Sequence, residues 1–509
     1  MAYGENGSVV GPQNLPTRSV ASGVWSLGEL SEAQRDGTWP NPLFGWVAQF
    51  DVDGTPGGSQ GATNARSISI DSSDHIFASG WAASYDPWAL EVDEDGVYQE
   101  AAYTVPTSPS SLIRLTSSVI DSAGDLITAG SYKDQNVYTN PYIFTMMKLN
   151  SSLTGVFQYG RGMHYQSREC IFTDYVSPGL GSEIYASGNV GYHQTIYENT
   201  GQYRNEFFFG QVTVSSGYPL YPNKRIHDNY GVNLKSLGVT GNDTETWGAW
   251  TNPNSGTGQL RLASLGGSTK YGYYPPSSSK VNQANLIEAD STGSATDILA
   301  YCQWSASEYT TLVKITKSTG AIVWQRDITS TDGAGGLAWA NTVCGPILDS
   351  SGNIYVSWAD YNPNGANGAG FRVSWAKYSS AGVFQFARSM SQTTNVGSSA
   401  RGIDMKIDSA EENLIILFLS GVYNQQGMFM VPLNGDGAGG SADVIANDGV
   451  SKNFIYENLS YATRTGIMTK DSGGISGTAS NVSMTSVNMT SETFLDAASV
   501  DDYDVGGVS

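Results

Sequence analysis

The sequence is poor in cysteine, histidine and basic residues. It holds 3 cysteines and 4 histidines in 509 residues, and Lys plus Arg number 26 against 47 Asp plus Glu, a net charge of −21. So few cysteines cannot form the disulfide scaffold of a chain this long. A nucleic-acid or anionic membrane partner is disfavoured, because contact with phosphate needs dense cations.

Long apolar runs are also missing. No run of about 18 apolar residues occurs, so we expect no insertion into a membrane. The first 19 residues have no basic start followed by an apolar stretch, so we expect no secretory signal. What the chain does have is 60 glycines. With abundant Ser, Thr, Asn and Tyr, these indicate many turns between short strands.

An internal repeat runs along most of the chain. Its first element is an apolar strand, a turn resembling Asp-Ser-x-Gly-Asn, and a second apolar strand. Asp and Gly tolerate the backbone conformations that tight hairpin turns require. The clearest copies are residues 65–81, 115–131, 344–358 and 400–418, with turn residues Asp71, Asp121, Asp349 and Asp408.

A second kind of hairpin follows each of the first kind. Residues 311–326, "TLVKITKSTGAIVWQR", are the clearest copy. A unit therefore holds four strands, and the step from Asp71 to Asp121 is 50 residues while that from Asp349 to Asp408 is 59. Four short strands per repeat of about 40–50 residues predict an all-β fold, a β-propeller of four-stranded blades.

The blade count and the closure of the ring follow from the ends of the repeat. Eight blades are the first expectation, with the hairpin Gly45–Gly58 pairing with Asn453–Gly473 so that the terminal hairpins close the ring. Seven blades are the alternative. The expected domains are an N-terminal arm (1–41), the propeller (42–473) and a Ser/Thr/Asp-rich C-terminal tail (474–509).

A short helix is predicted in the N-terminal arm, within "SGVWSLGELSEAQRDGTWP" (residues 22–40). Ser26 and Glu29 fit a capping box, and Gly37 is suited to end the helix. A helix of two to three turns is not stable alone in water, so its apolar side chains must pack on something. We expect them to dock on a partner or on the propeller itself; they are Val24, Trp25, Leu27, Leu30 and Trp39.

The same segment resembles one found in structural proteins of tailed bacteriophages, especially marine ones. The matching positions are Gly23, Val24, Trp25, Ser26, Leu27, Gly37, Trp39 and Pro40, about 19 residues of the chain. The hairpins separately resemble a propeller repeat of bacterial surface and phage proteins. Together the resemblances imply a component of the virion, in the tail, a fibre or the capsid exterior.

No constellation of catalytic or metal-binding residues is visible. The histidines have no ligand spacing, and "DVDG" (51–54) and "DEDG" (93–96) lack the distal Glu of a calcium loop and fit hairpin turns. We therefore expect no cofactor and no enzyme activity. Enzymes that cleave glycans use two carboxylates at a fixed distance in the folded protein, and the sequence does not reveal such distances.

The aromatic residues divide into two groups. Trp81, Trp250, Trp304 and Trp358 end the first hairpins at matching positions, which predicts packing between blades. The long insertion of the third unit places Tyr192, Tyr197 and Tyr203 off the repeat, where loop residues are candidates for ligand contact.

The functional expectation is a non-enzymatic structural component of a virion, assembled in the host cytoplasm and then exposed outside the cell. Its partners would be other virion proteins, bound through the arm and the tail, copies of itself, and a host glycan or receptor. Two alternatives stay open: a binding propeller of the bacterial cell surface or periplasm, and a propeller enzyme that degrades polysaccharides.

Overall fold

The chain is described in a computed structural model. The described residues are 46–50, 64–81, 87–94, 96, 98–104, 111–121, 123–134, 143–153, 155–162, 169–178, 183–192, 205–213, 219–227, 235–241, 245–251, 259–264, 270–274, 281–289, 295–304, 309–330, 343–362, 370–392, 401–419, 426–435, 443–447, 453–458, 461–465, 469–470, 478–481, 485–487 and 494–495.

The described residues form strands and turns, and none of them lies in a helix. The strands are β1 (Val47–Phe50), β2 (Asn64–Ile70), β3 (Ile76–Trp81), β4 (Pro87–Val92), β5 (Tyr98–Thr104), β6 (Ser111–Ile120), β7 (Leu126–Asp134), β8 (Ile143–Leu149), β9 (Gly155–Gly162), β10 (Glu169–Pro178), β11 (Glu183–Tyr192), β12 (Asn205–Thr213), β13 (Pro219–His227), β14 (Lys235–Gly241), β15 (Thr246–Thr251), β16 (Leu260–Ser264), β17 (Lys270–Tyr274), β18 (Val281–Glu288), β19 (Asp297–Trp304), β20 (Tyr309–Thr316), β21 (Ile322–Ser330), β22 (Val343–Leu348), β23 (Ile354–Asn362), β24 (Gly370–Tyr378), β25 (Phe384–Gln392), β26 (Arg401–Ile407), β27 (Asn413–Leu419), β28 (Gln426–Pro432), β29 (Asp443–Asn447), β30 (Asn453–Asn458), β31 (Tyr461–Thr465), β32 (Thr469–Lys470), β33 (Thr478–Asn481), β34 (Thr485–Val487) and β35 (Phe494–Leu495). The all-β expectation is confirmed for this part of the chain.

These strands fall into seven antiparallel sheets. Six sheets are each built on four consecutive strands, and we number them 1 to 6: β2–β5, β6–β9, β10–β13, β14–β17, β18–β21 and β22–β25. The seventh, which we name the closing sheet, consists of β26, β27 and β28 followed by β1. The two hairpins predicted for each unit are thus present as neighbouring strands of one sheet.

The first strands of neighbouring sheets lie against each other in a cycle. Strand β2 contacts β6, β6 contacts β10, and the series continues through β14, β18 and β22 to β26, which contacts β2. A bulge interrupts each of these first strands where it pairs with the second. Bulges bend a strand and increase its twist, which suits strands that lie side by side around a common centre.

The core lies between facing sheets. The middle strands are buried along their length, as in β3, β15 and β27. Because sheets cover both of their faces, such strands read as continuous apolar runs instead of alternating ones. Trp304 packs in a cluster with residues of sheet 4, and Trp358 in one with residues of sheet 5, as predicted for aromatic residues between blades.

The expected pairing of Gly45–Gly58 with Asn453–Gly473 is wrong. Strand β1 lies in the first of these segments and pairs with β28, from Val47↔Phe429 to Phe50↔Gln426. It completes the closing sheet because the three strands β26–β28 leave the outer edge of β28 open. The second segment holds β30, β31 and β32, which belong to three different sheets.

Strands β30 to β35 form a belt around sheets 6 to 1. Each adds to the outer edge of one sheet, visiting sheets 6, 5, 4, 3, 2 and 1 in that order, and β29 pairs with β30. An open edge invites pairing with other chains, and the belt covers these edges. The predicted tail (474–509) thus contributes β33, β34 and β35 to the chain's own sheets.

Candidate functional site

Most of the residues predicted for docking lie outside the described part of the chain. This holds for Val24, Trp25, Leu27, Leu30 and Trp39, for the predicted helix that carries them, and for Tyr197 and Tyr203. Tyr192 is the last residue of β11, where its backbone lies opposite Glu169. The site is therefore built from Trp46, the first described residue after the predicted arm.

Trp46 directly precedes the outer strand of the closing sheet and is only 4% exposed. Its indole Nε1 donates to the Glu94 carbonyl at 2.8 Å, and its own carbonyl accepts from the Met430 amide at 2.9 Å. Its ring covers Gly96, where a Cβ would come within 2.4 Å of ring atoms. Glu94 and Gly96 belong to sheet 1, so Trp46 lies where sheet 1 meets the closing sheet.

The contact of an aromatic ring with a turn glycine recurs at other joints between sheets. Trp324 of sheet 5 covers Gly382 of sheet 6, and Phe386 of sheet 6 covers Gly435 of the closing sheet. Each of these glycines has a positive φ, which glycine adopts without strain.

A donor two residues beyond each ring adds a hydrogen bond to the same turn. Arg326 Nε donates to the Gly382 carbonyl and Arg388 Nε to the Gly435 carbonyl, both at 2.8 Å. Tyr271 of sheet 4 similarly covers Gly320 of sheet 5, and the Tyr273 hydroxyl donates to the Gly320 carbonyl at 2.9 Å.

Two carboxylates add a second kind of contact at the joints of the closing sheet. Glu411 accepts hydrogen bonds from the Ser350 amide at 2.5 Å and hydroxyl at 2.6 Å, which links sheet 6 to the closing sheet. Asp74 accepts from the Ser409 amide at 2.6 Å and hydroxyl at 2.8 Å, which links the closing sheet to sheet 1. We name these two contacts the closing clamps.

Both clamp residues have unusual backbones. The φ angles of Asp74 and Glu411 are 63° and 55°, in the left-handed region that non-glycine residues seldom occupy. The equivalent turn positions in sheets 2 and 6 are Gly124 and Gly352. A carboxylate has therefore been placed where the turn favours glycine, and its side chain reaches the neighbouring turn.

Asp404 joins the closing sheet to sheet 1 nearer the centre. Its Oδ2 accepts from the Ser67 hydroxyl and from the Ile68 amide, both at 2.9 Å. Ser67 Oγ in turn accepts from the Ser118 amide of sheet 2 at 3.0 Å. The first strands of adjacent sheets are not paired with each other through their backbones. Here polar side chains supply the hydrogen bonds between them.

The turn aspartates of the repeat act within their own turns. Asp71 Oδ1 accepts from the amides of Ser73 and His75, and Asp121 Oδ1 accepts from those of Ala123 and Asp125. Asp349 and Asp408 make corresponding bonds. These carboxylates are therefore structural groups of the turns.

Pairs of ionisable side chains contact two of these turns, with the acidic and basic residues exchanged between the two positions. Lys148 Nζ lies 2.6 Å from Asp121 and 2.8 Å from Asp125. Burial alone would raise the pKa of Asp121, but the hydrogen bond from Lys148 and those from backbone amides lower it. In sheet 1, Glu91 takes the register position of Lys148 and pairs with His75 at 2.6 Å, and burial raises the pKa of Glu91.

The described thiols are not poised for nucleophilic chemistry. Cys302 and Cys344 are free and buried. Burial raises the pKa of both thiols, which keeps them protonated and unreactive at neutral pH. Cys170 lies on β10, and its side chain is outside the described residues.

Metal-ligand and membrane-spanning features are equally missing from the described residues. No cluster of three or more His, Cys, Asp or Glu side chains there could hold a metal ion. The segment 93–96 forms a turn in which the Gly96 amide donates to the Asp93 carbonyl, while 51–54 lies outside the described part. Nor does that part contain a helix long and apolar enough to cross a membrane.

The important residues that sequence reasoning missed are Trp46, Asp74, Asp404 and Glu411. Two of them leave a signal in the repeat, since Asp74 and Glu411 stand where aligned turns have Gly124 and Gly352. Trp46 leaves no such signal, because in the sequence "WVAQFDVDG" (46–54) matches "WALEVDEDG" (88–96), which begins with a third strand, whereas Trp46 precedes a fourth. Nothing in the pattern marks Asp404, because its partners are 336 and 337 residues away along the chain.

Comparison with known proteins gives solved structures only. No protein-family model and no curated sequence matches the chain. A structure described as the Dos1 propeller is 7% identical, with a TM-score of 0.40 over 72% of this chain and 77% of that one. The polysaccharide lyase Uly1 is 9% identical, with a TM-score of 0.43 over 73% of this chain and 90% of that one.

A third similar structure is the α-L-arabinofuranosidase Arb93A from Fusarium graminearum. It is 10% identical, with a TM-score of 0.40 over 77% of this chain and 99% of its own. The expectation of no enzyme activity stays a prediction, which these similar structures do not test. At such low identity and TM-score no activity is transferred from them to this chain.

Proposed function

We propose that this chain is a non-enzymatic structural component of a tailed-phage virion, placed in the tail, a fibre or the capsid exterior. Its seven sheets would be the blades of one closed propeller that serves as a rigid platform. The N-terminal arm would dock on other virion proteins, and exposed loops would face a host glycan or receptor. We further propose that the chain assembles in the host cytoplasm and that several copies of it lie side by side in the particle.

The closed ring is supported by the cycle of contacts between first strands. The joint of the closing sheet with sheet 1 also uses the same aromatic-on-glycine contact as the joint of sheet 5 with sheet 6, through Trp46 and Trp324 respectively. Because β1 fills the fourth position of the closing sheet, no further hairpin is needed to complete that sheet.

The docking role of the arm rests on one observation, the position of Trp46. The outer strand of the closing sheet begins at Val47, and Trp46 fixes the chain just before it. Residues 24–39 therefore precede every residue that would close the ring, and we propose that their apolar side chains bind a partner. They also carry the resemblance to virion proteins.

The experiment compares particles assembled with the full chain and with a variant lacking residues 1–41. We expect mass spectrometry of purified particles to detect the full chain at a constant copy number. The truncated chain should be absent from particles yet unfold at the same temperature as the full chain in solution. Absence of the full chain from particles, or equal incorporation of the truncated one, would overturn the proposal.

A second assay separates this function from that of a polysaccharide-degrading enzyme. Purified full chain is incubated with a panel of bacterial and plant polysaccharides, and the release of reducing ends and of unsaturated products is measured. We expect neither above the level of a heat-denatured control. Reproducible release from any polysaccharide would contradict the non-enzymatic part of the proposal.

A further inference from the structure

Among the described sheets, the closing sheet is the one without a belt strand. Sheets 1 to 6 each carry one strand of the belt outside their fourth strand, whereas β1 pairs only with β28 among the described strands. Because the Met430 amide donates to the Trp46 carbonyl, the backbone groups of Trp46, Ala48 and Phe50 face β28. Those of Val47 and Gln49 point to the outer edge.

The belt advances around the sheets with a regular step. Its strands begin at Asn453, Tyr461, Thr469, Thr478, Thr485 and Phe494, so successive starts are 8, 8, 9, 7 and 9 residues apart. The order of sheets is 6, 5, 4, 3, 2 and 1. The next sheet in this direction is the closing sheet, which contacts sheet 1 through Ser67 and Asp404.

One more step of the same size leads to residues 501–503. The link that would be needed, from Leu495 to about residue 502, has the length of the link from Val487 to Phe494, which already crosses from one sheet to the next. In the sequence there, Tyr503 and Val505 alternate with Asp502 and Asp504. Alternation of apolar and polar residues is typical of a strand with one covered face.

We propose that residues 502–505 add to the outer edge of β1 as the seventh strand of the belt. The register of the other belt strands predicts antiparallel pairing, with the residues near 502–504 opposite Phe50, Gln49 and Ala48. The belt then covers the outer edge of every sheet. The closing sheet would then contain β1 and β26–β28, which come from both ends of the repeat, and a strand from the C-terminal segment.

Cysteine pairs test this register directly. Gln49→Cys is combined in turn with Asp502→Cys, Tyr503→Cys and Asp504→Cys, since opposed strand residues have the Cα spacing that a disulfide requires. We expect at least one pair to form an intramolecular disulfide in the monomeric fraction. The matched control combines Tyr503→Cys with Val383→Cys, an exposed residue of sheet 6 (55% exposed), and should give at least tenfold less disulfide.

Hydrogen exchange tests the same pairing without new side chains on β1. In the full chain the amides of Val47 and Gln49 should be protected, and deletion of residues 501–509 should lower that protection at least tenfold. The amides of β28 should keep theirs, which shows that the sheet itself remains folded.

Several outcomes would overturn the proposal. Disulfides found only between two chains would assign the edge of β1 to a second copy. A lack of disulfide in all three pairs, together with unprotected amides in the full chain, would leave the edge open. Protection that survives the deletion would assign it to another segment. The virion function proposed above is independent of each result.

Discussion

The closing sheet forms two joints, one with sheet 6 and one with sheet 1. These joints differ from the joint between sheets 5 and 6, although both kinds have one contact in common. Both kinds of joint place an aromatic ring on a turn glycine, Trp46 on Gly96 and Trp324 on Gly382. At the 5–6 joint the amide of Asn285 donates to the carbonyls of Val343 and Gly345. The closing joints use carboxylates instead, in the two closing clamps and at Asp404.

At the joint of the closing sheet with sheet 1, the added contacts accompany a long separation of the parts along the chain. Ser67 and Asp404 are 337 residues apart, whereas Asn285 and Val343 are 58 apart. Closing the longer loop costs about 1.5 kcal/mol more in chain entropy. That is the size of one or two net hydrogen bonds, so the carboxylate contacts of Asp74 and Asp404 at the joint with sheet 1 can offset it. At the joint of the closing sheet with sheet 6, Ser350 and Glu411 are only 61 residues apart, so separation does not account for that clamp.

The largest expected effect separates the two tryptophans. Trp46→Ala should lower the free energy of unfolding by about 4 kcal/mol, because it empties a buried site between sheets. Trp324→Ala is the matched change at the 5–6 joint, where the ring is half-buried and the sheets are close in sequence; we expect about 2 kcal/mol there. Urea unfolding measures both. Equal losses would mean that the closing joint has no special weight.

The glycines under the rings come next. Gly96→Ala would place a Cβ within 2.4 Å of the Trp46 ring at a φ of 79°, and should cost about 3 kcal/mol. Gly124→Ala is the control, since its φ is 83° but no atom lies within 4 Å of the added Cβ. Backbone strain alone should cost about 1 kcal/mol there. Similar losses in thermal unfolding would show that the ring moves aside easily.

Asp404 tests the inner part of the closing joint. Asp404→Ala leaves the Ile68 amide and the Ser67 hydroxyl without their acceptor, which should cost about 2 kcal/mol. Lys406→Ala is the control, because Lys406 Nζ lies 3.1 Å from Asp404 but contacts neither residue of sheet 1 in the bonds described above. It should cost less than about 1 kcal/mol. Exchange of the Ile68 amide should accelerate only in Asp404→Ala.

The ion pair in sheet 2 provides a contrast in pH and salt dependence. The pKa of Asp121 is lowered in the fold, so its stabilising effect is present above its ordinary pKa and is lost as the pH falls through the lowered value. Asp121→Asn should therefore cost about 1 kcal/mol at pH 7 and less in acid. Salt should reduce the cost, because Lys148 is charged. A loss independent of both pH and salt would contradict this reading.

Much of this fold is readable from the sequence because the repeat has local causes. The turn aspartates accept hydrogen bonds from backbone amides a few residues further along the chain. The strands of each hairpin likewise pair with neighbours that are close in sequence. The packing of Trp304 and Trp358 between sheets was predictable from their recurrence.

The closure and the belt depend on partners far away in the chain. Strand β1 could pair with any open edge, and only the assembled sheets show that it pairs with β28. The belt strands are as short as 2 residues, too short for a periodic pattern. Asp404 looks like any strand residue until Ser67 and Ile68 are brought next to it.

The smallest expected effect concerns the closing clamp at Glu411. Glu411→Gly removes two hydrogen bonds to Ser350 but also relieves a residue held at a φ of 55°. The loss of exposed bonds and the relief of left-handed strain are each about 1 kcal/mol, so the free energy of unfolding should change by less than about 0.5 kcal/mol. Glu411→Ala loses the bonds and keeps the strain, and should cost about 1 kcal/mol more than Glu411→Gly. Unlike Asp121→Asn, neither change should depend on salt, because Ser350 is uncharged. If Glu411→Gly instead stabilised the protein by the full value of the strain, this clamp would contribute nothing, and the closing joints would differ from the others only in Trp46, Asp74 and Asp404.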